Sequence, residues 1–127
     1  MLNHLKIFST EQVDDILVVL PSGEGSAFRY QDLHIESNAI RSHLLKGSCK
    51  HVIVDLHKMD YFGSEFIGAL VTMLREVKGR GGKACFCCAT PQMLQVLQNM
   101  SLFKLWPHLA SREEAMALVK QAAAGAK

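Results

Sequence analysis

Nowhere in its 127 residues does the chain approach the roughly 20 consecutive apolar residues that a bilayer-spanning helix needs. Its start, Met1-Leu2-Asn3-His4-Leu5-Lys6, has neither the charged region, the long apolar region nor the cleavage site of a signal peptide. These two absences predict a cytoplasmic protein with no membrane span. Charge of one sign is missing as well: 14 Lys and Arg against 12 Asp and Glu leave a net +2. No basic run reaches five residues and no aromatic residues interleave with basic ones, so the footprint of a nucleic-acid binder is lacking. The histidines, His4, His34, His43, His51, His57 and His108, are scattered, with no H-x-x-x-H or H-E-x-x-H pair on which to build a metal site. The segment Phe62-Gly63-Ser64-Glu65-Phe66 lacks the G-x-S-x-G elbow of a serine hydrolase, so His57 has no marked nucleophile to serve. Gly79-Arg80-Gly81-Gly82 follows a helical pattern and precedes a strand, the reverse of the order that aims helix amides at a phosphate. No catalytic residue, cofactor or metal is therefore expected, and the protein is expected not to be an enzyme.

Disulfide architecture is excluded on similar grounds. Only four cysteines are present and three crowd into Cys85, Cys87 and Cys88, whereas a disulfide scaffold spaces them apart. Alternation along a strand would put Cys85 and Cys87 on one face and Cys88 on the other, so the C-x-x-C spacing predicts buried structural thiols. Cys49, in a loop, is the better candidate for a reactive thiol.

What the chain has is an ordinary globular composition, 49% hydrophobic and 20% charged, in one expected domain over residues 1–127. Its centre is the stretch from His51 to Cys88. His51 to Leu56 reads as a strand whose unbroken, β-branched apolar run, Val52 to Val54, suits cover on both faces. Phe66, Ile67, Leu70, Met73, Leu74 and Val77 then recur at helical spacing as one apolar stripe, and Gly79, Gly81 and Gly82 stop that helix. Lys83 to Cys88 returns as a strand. This is a βαβ unit, with parallel strands and a right-handed crossover.

Ser64 sits where turn becomes helix. Serine is a favoured N-cap, and Gly63 before it allows backbone angles closed to other residues. A hydroxyl at that place also lies where a phosphate would be stabilised by the helix dipole and free amides. Ahead of it, Met59, Tyr61 and Phe62 are apolar residues in a loop; they either close over the sheet edge or form a partner surface.

Around this unit, Leu5–Phe8 and Ile16–Leu20 read as a hairpin turning over Glu11–Asp15. Pro21 to Ser26 is a loop. A helix from Tyr30 to Lys46, unusually polar in its first half, carries Leu33, Ile40 and Leu44 inward and ends at Gly47. Thr90-Pro91 caps a helix whose inward stripe is Met93, Val96, Leu97 and Met100. Leu105–His108 reads as a short last strand, and Ser111-Arg112-Glu113-Glu114 as a capping box opening a final helix on Ala115, Leu118 and Val119. The order ββαβαβαβα predicts an α/β fold: a mixed sheet, N-terminal hairpin then βαβ units, with helices mainly on one face.

The run from Val52 into the central helix resembles the STAS domain, the module of anti-sigma factor antagonists and sulfate transporter tails. The resemblance rests on the strand ending in Asp55, the short apolar loop Met59 to Phe62, Ser64, and the helix start with Ile67, Gly68 and Leu70. The Gly81-Gly82-Lys83 turn and Glu113-Glu114-Ala115 extend it over nearly the whole chain. It departs at Gly63, where the family usually has Asp, and at Glu65-Phe66, where it usually has Ser-Gly. The resemblance implies a bacterial regulator of transcription that binds an anti-sigma factor with serine kinase activity. Phosphorylation of Ser64 would end that binding and a phosphatase would restore it. The partner surface would be Met59, Asp60, Tyr61, Phe62, Gly63, Ser64, Glu65 and Ile67. The alternative is a STAS scaffold or accessory module of a larger signalling or transport assembly that is not phosphorylated.

Overall fold

The computed structural model describes residues 8–21, 30–46, 49–58 and 64–125. Its elements run β1 (Phe8–Val13), β2 (Ile16–Pro21), α1 (Tyr30–Leu45), β3 (His51–Asp55), α2 (Ser64–Gly79), β4 (Ala84–Cys87), α3 (Pro91–Asn99), a 3-10 turn (Leu102–Lys104), β5 (His108–Leu109) and α4 (Arg112–Gly125). The sheet order is β1-β2-β3-β4-β5. Among the described residues, only the β1–β2 hairpin is antiparallel; β2, β3, β4 and β5 run parallel. The expected element order and mixed sheet are both found.

The two faces of the sheet are filled differently because side chains alternate along each strand. Val52 and Val54 of β3 join Leu17, Val19, Phe86 and the apolar stripes of α1, α2 and α3. Ile53 points the other way, with Ile16, Val18, Cys85 and Cys87, against Ala115 and Val119 of α4. Among the described residues, three helices therefore share one face and α4 alone covers the other, which is why β3 reads as a continuous apolar run. On α2, Ile67, Leu70, Met73, Leu74 and Val77 are all buried. The helix closes as the glycines predict. Gly81 takes the left-handed conformation at φ 84°, and the amides of Gly81 and Gly82 donate to the carbonyls of Lys78 and Val77.

The differences from expectation are largest at β1, β5 and the end of α3. The first strand is Phe8–Val13 rather than Leu5–Phe8, of which 5–7 lie outside the described residues; Gly47 does too. Glu11 to Val13, expected in the turn, belong to the strand instead: an edge strand with only Phe8 fully buried tolerates polar residues, and the turn is Asp14-Asp15 alone. The last strand is His108–Leu109, because Leu102–Lys104 winds into a 3-10 turn first. Met100 is exposed, since the chain leaves α3 one residue earlier. The polar first half of α1 also has its reason. Glu36 is buried and accepts the amide of Phe8 at 3.1 Å, tying α1 to the edge strand. Among the described residues, no helix is long and apolar enough to cross a membrane.

Candidate functional site at the carboxyl edge of the sheet

Each parallel strand delivers the chain to the same edge, and α2, α3 and α4 all begin there. The positive ends of their dipoles and their unpaired first-turn amides face that edge. Two of the starts are built as the sequence predicts. Thr90 Oγ1 accepts the amide of Met93 at 3.2 Å, with Pro91 at the first helical position. Ser111 Oγ accepts the amide of Glu114 at 3.2 Å, while Glu114 Oε2 accepts the amide of Ala110 at 3.1 Å, one residue earlier than a capping box requires.

The third start is that of α2. Its first residue is Ser64 itself. Met59, Asp60, Tyr61, Phe62 and Gly63 lie outside the described residues, as do the side chains of Ser64, Glu65 and Phe66. Ile67 requires a correction. Expected on the partner surface, it is buried among the core side chains, because it stands three residues before Leu70 on the inward stripe. It anchors the first turn of α2 from beneath.

What lies beside this edge is a polar network the sequence did not reveal. Asp55, the last residue of β3, is 2% exposed. Its Oδ1 accepts both the backbone amide of His57 at 3.1 Å and His57 Nδ1 at 2.7 Å. Its Oδ2 accepts Arg112 Nε at 3.0 Å, and Arg112 also donates to Glu11 of β1. Burial alone would raise the Asp55 carboxyl. The hydrogen bonds from His57 and Arg112 outweigh it together and hold the group below its ordinary value. The cluster thus joins the end of β3, the turn after it, the first residue of α4 and the edge strand.

Cys87 and Cys88 adjoin Asp55, and here the strand argument fails. Cys88 lies just past β4 with φ 62°, its amide donating to the Leu109 carbonyl at 3.2 Å. That turn brings the two sulfurs and the Asp55 carboxylate within 4.8 Å of one another instead of placing the sulfurs on opposite faces. The set is a poor cation site for chemical reasons. Both Asp55 oxygens already accept hydrogen bonds, and the Arg112 guanidinium sits against one of them. Burial pushes the Cys85 thiol up to about 12, and burial with the Asp55 charge pushes Cys87 up as well. Thiolate ligands are thereby disfavoured. Cys49, expected as the reactive thiol, is instead 1% exposed, with its Sγ 3.9 Å from His43 Nε2.

Comparison with known proteins follows this geometry. A family model described as STAS domain matches residues 8–115. The chain is 23% identical over 96 residues to the anti-sigma F factor antagonist of Paenibacillus polymyxa, covering 72% of this chain and 76% of that one. In fold it is similar to TM1081 of Thermotoga maritima, with a TM-score of 0.79 and 21% identity, covering 93% of this chain and 92% of that one. It is likewise similar to the anti-sigma factor antagonist SpoIIAA in its unphosphorylated form, with a TM-score of 0.75 and 19% identity over 90% and 96% of the two chains. The phosphorylated form of SpoIIAA, described as a Bacillus cell fate determinant, gives 0.69 at 20% identity over 88% and 98%.

Proposed function

The chain belongs to the STAS domain family, and from that membership we propose that it is an anti-sigma factor antagonist whose α2 start is its switch. Its partner is an anti-sigma factor with serine kinase activity, contacted through the segment Met59 to Gly63 and through Ser64 and Glu65 at the start of α2. Phosphorylation of Ser64 ends the contact and a phosphatase restores it. The single observation that carries this reading is the family match over residues 8–115, with Ser64 as the first residue of α2. The physical setting supports it. A phosphate adds about −1.5 to −2 charge at pH 7, which repels an acidic partner surface and blocks an apolar contact. Three helix starts at the same edge would tolerate that charge without rearrangement of the backbone. The Paenibacillus polymyxa relative is named an anti-sigma F factor antagonist, which supports a regulatory role.

Calorimetry with the anti-sigma kinase of the same genome, and mass spectrometry after incubation with ATP, test the proposal. Ser64→Asp should weaken binding with the fold intact. Ser64→Ala should bind but take no phosphate, and Gly63→Val should impair binding by bulk. Equal binding of wild type and Ser64→Asp, with no phosphate on Ser64, sinks the switch. Gly63 and Glu65 favour a second reading, since Glu65 sets a negative charge beside any phosphate. In that reading the module is a scaffold or accessory unit that binds without being switched. Undiminished affinity of Met59→Ala and Phe62→Ala would remove the contact surface from both readings.

A further inference from the structure

The opposite, amino edge of the sheet carries a feature that the family switch does not use. A cleft of about 290 Å³ opens between the C-terminal half of α4 and the segment leading into β5. Its apolar wall is made by Leu105, Trp106, Pro107 and Leu118, and its rim by Lys78 and Lys83. Leu105 is 45% exposed, a large aliphatic side chain in water beside an apolar wall. Trp106 is buried, and its indole Nε1–H has no acceptor among the described residues. Neither Lys78 nor Lys83 forms an ion pair among the described residues. The nearby acid Asp15 is engaged with His51, and Asp14 with Lys120. An apolar cleft flanked by two unpaired ammonium groups is complementary to a molecule with an apolar body and an anionic head.

We propose that this cleft binds a small amphipathic carboxylate, its chain against Trp106, Leu105 and Leu118 and its head between Lys78 and Lys83. The volume sets the size. It is about twice that of the engineered 150 Å³ cavity that takes one benzene, which suits a ligand of roughly ten to twelve heavy atoms. Lys78 has a competing duty, since in the last turn of α2 it complements the helix dipole. That duty needs no ligand and predicts no preference for one head group over another.

The chain contains one tryptophan, so emission from Trp106 reports on the cleft directly. The full chain is titrated with octanoate, octanol and octylammonium, three ligands with one tail and different heads. Octanoate should shift the Trp106 emission saturably, octanol should bind three- to tenfold more weakly, and octylammonium should not bind in the same range. The Lys78→Gln/Lys83→Gln variant should bind octanoate only as well as octanol, with octanol unaffected and the thermal midpoint unchanged. Amide shifts on octanoate binding should cluster at Lys83, Leu105 and Leu118. Equal binding of octanoate and octanol by the wild type overturns the proposal, whatever the variant does. So does a non-saturable response, a set of shifted amides elsewhere, or octanoate binding indifferent to loss of both lysines.

Discussion

Replacing Asp55 by Asn removes one charge and changes almost no volume, and the structure says what should happen. The carboxylate accepts three hydrogen bonds, two from His57 and one from Arg112. An amide has one oxygen, so it can keep His57 or Arg112 but must turn its NH₂ toward the other donor. Breaking a buried charged pair by removing one partner costs about 3–5 kcal/mol. The partners here are only partly covered, with side-chain exposures of 48% for His57 and 30% for Arg112, so water recovers some of that loss. We expect about 2–3 kcal/mol, at the low end of the fully buried case. With a slope of about 1–2 kcal/mol per molar urea, the unfolding midpoint should fall by about 1–3 M. The loss should also depend on pH. The folded protein keeps Asp55 ionised to lower pH than the unfolded chain, whose ordinary value is 3.8. The stabilisation is therefore complete above pH 3.8 and disappears as pH falls through the lower native value. His51 and His108 add an acid sensitivity of their own. Each accepts a backbone amide, from Lys83 and Ala89, and burial lowers both. Their stabilisation is present above 6.5 and is lost as pH falls below it. The difference between wild type and Asp55→Asn isolates the carboxylate, because both proteins carry the same histidines. That difference should hold steady down to about pH 3.8 and shrink as pH falls below it. A midpoint shift under about 0.3 M at pH 7, or a difference that stays constant with pH, would refute the role assigned to this charge.

Leu70, 1% exposed beneath α2, should cost about 2–5 kcal/mol when changed to Ala, and a urea midpoint nearly unmoved would break the packing phase of that helix. At Gly82 an added Cβ would meet the Lys50 carbonyl oxygen at 1.9 Å. Gly82→Ala should therefore cost about 2–3 kcal/mol by overpacking against backbone, and a change below about 0.5 kcal/mol in the same assay would contradict the close approach. Cys49, Cys85 and Cys87 are buried, so a thiol reagent at pH 8 should leave them unmodified in the native protein and reach all four cysteines in urea. Rapid native labelling of any of the three, located by peptide mass, would put that thiol at the surface.

The sequence by itself determined the parts of this protein that depend on local pattern. The stripe of Ile67, Leu70, Met73, Leu74 and Val77 has helical period, and nothing but a helix packed on one side satisfies it. The run Val52 to Val54 has no polar face, and only a strand covered twice can bury it. Thr90-Pro91, Ser111 and Gly81 act within a few residues, so their caps and turn were legible before any folding. The same locality explains the mistakes. Ser9 to Gln12 form an edge strand because β2 lies beside them, and Cys88 turns its sulfur toward Cys87 because the chain leaves β4 with φ 62°. Only the tertiary structure decided what crosses the chain. Arg112 meets Asp55 from 57 residues away and Glu11 from 101, a joining no spacing rule encodes. It exists because two parallel connections return β3 and α4 to one edge of the sheet. The cleft at the other edge was equally illegible, since Lys78, Lys83, Trp106 and Leu118 have no common pattern until α4 folds over the sheet face that α2 does not cover.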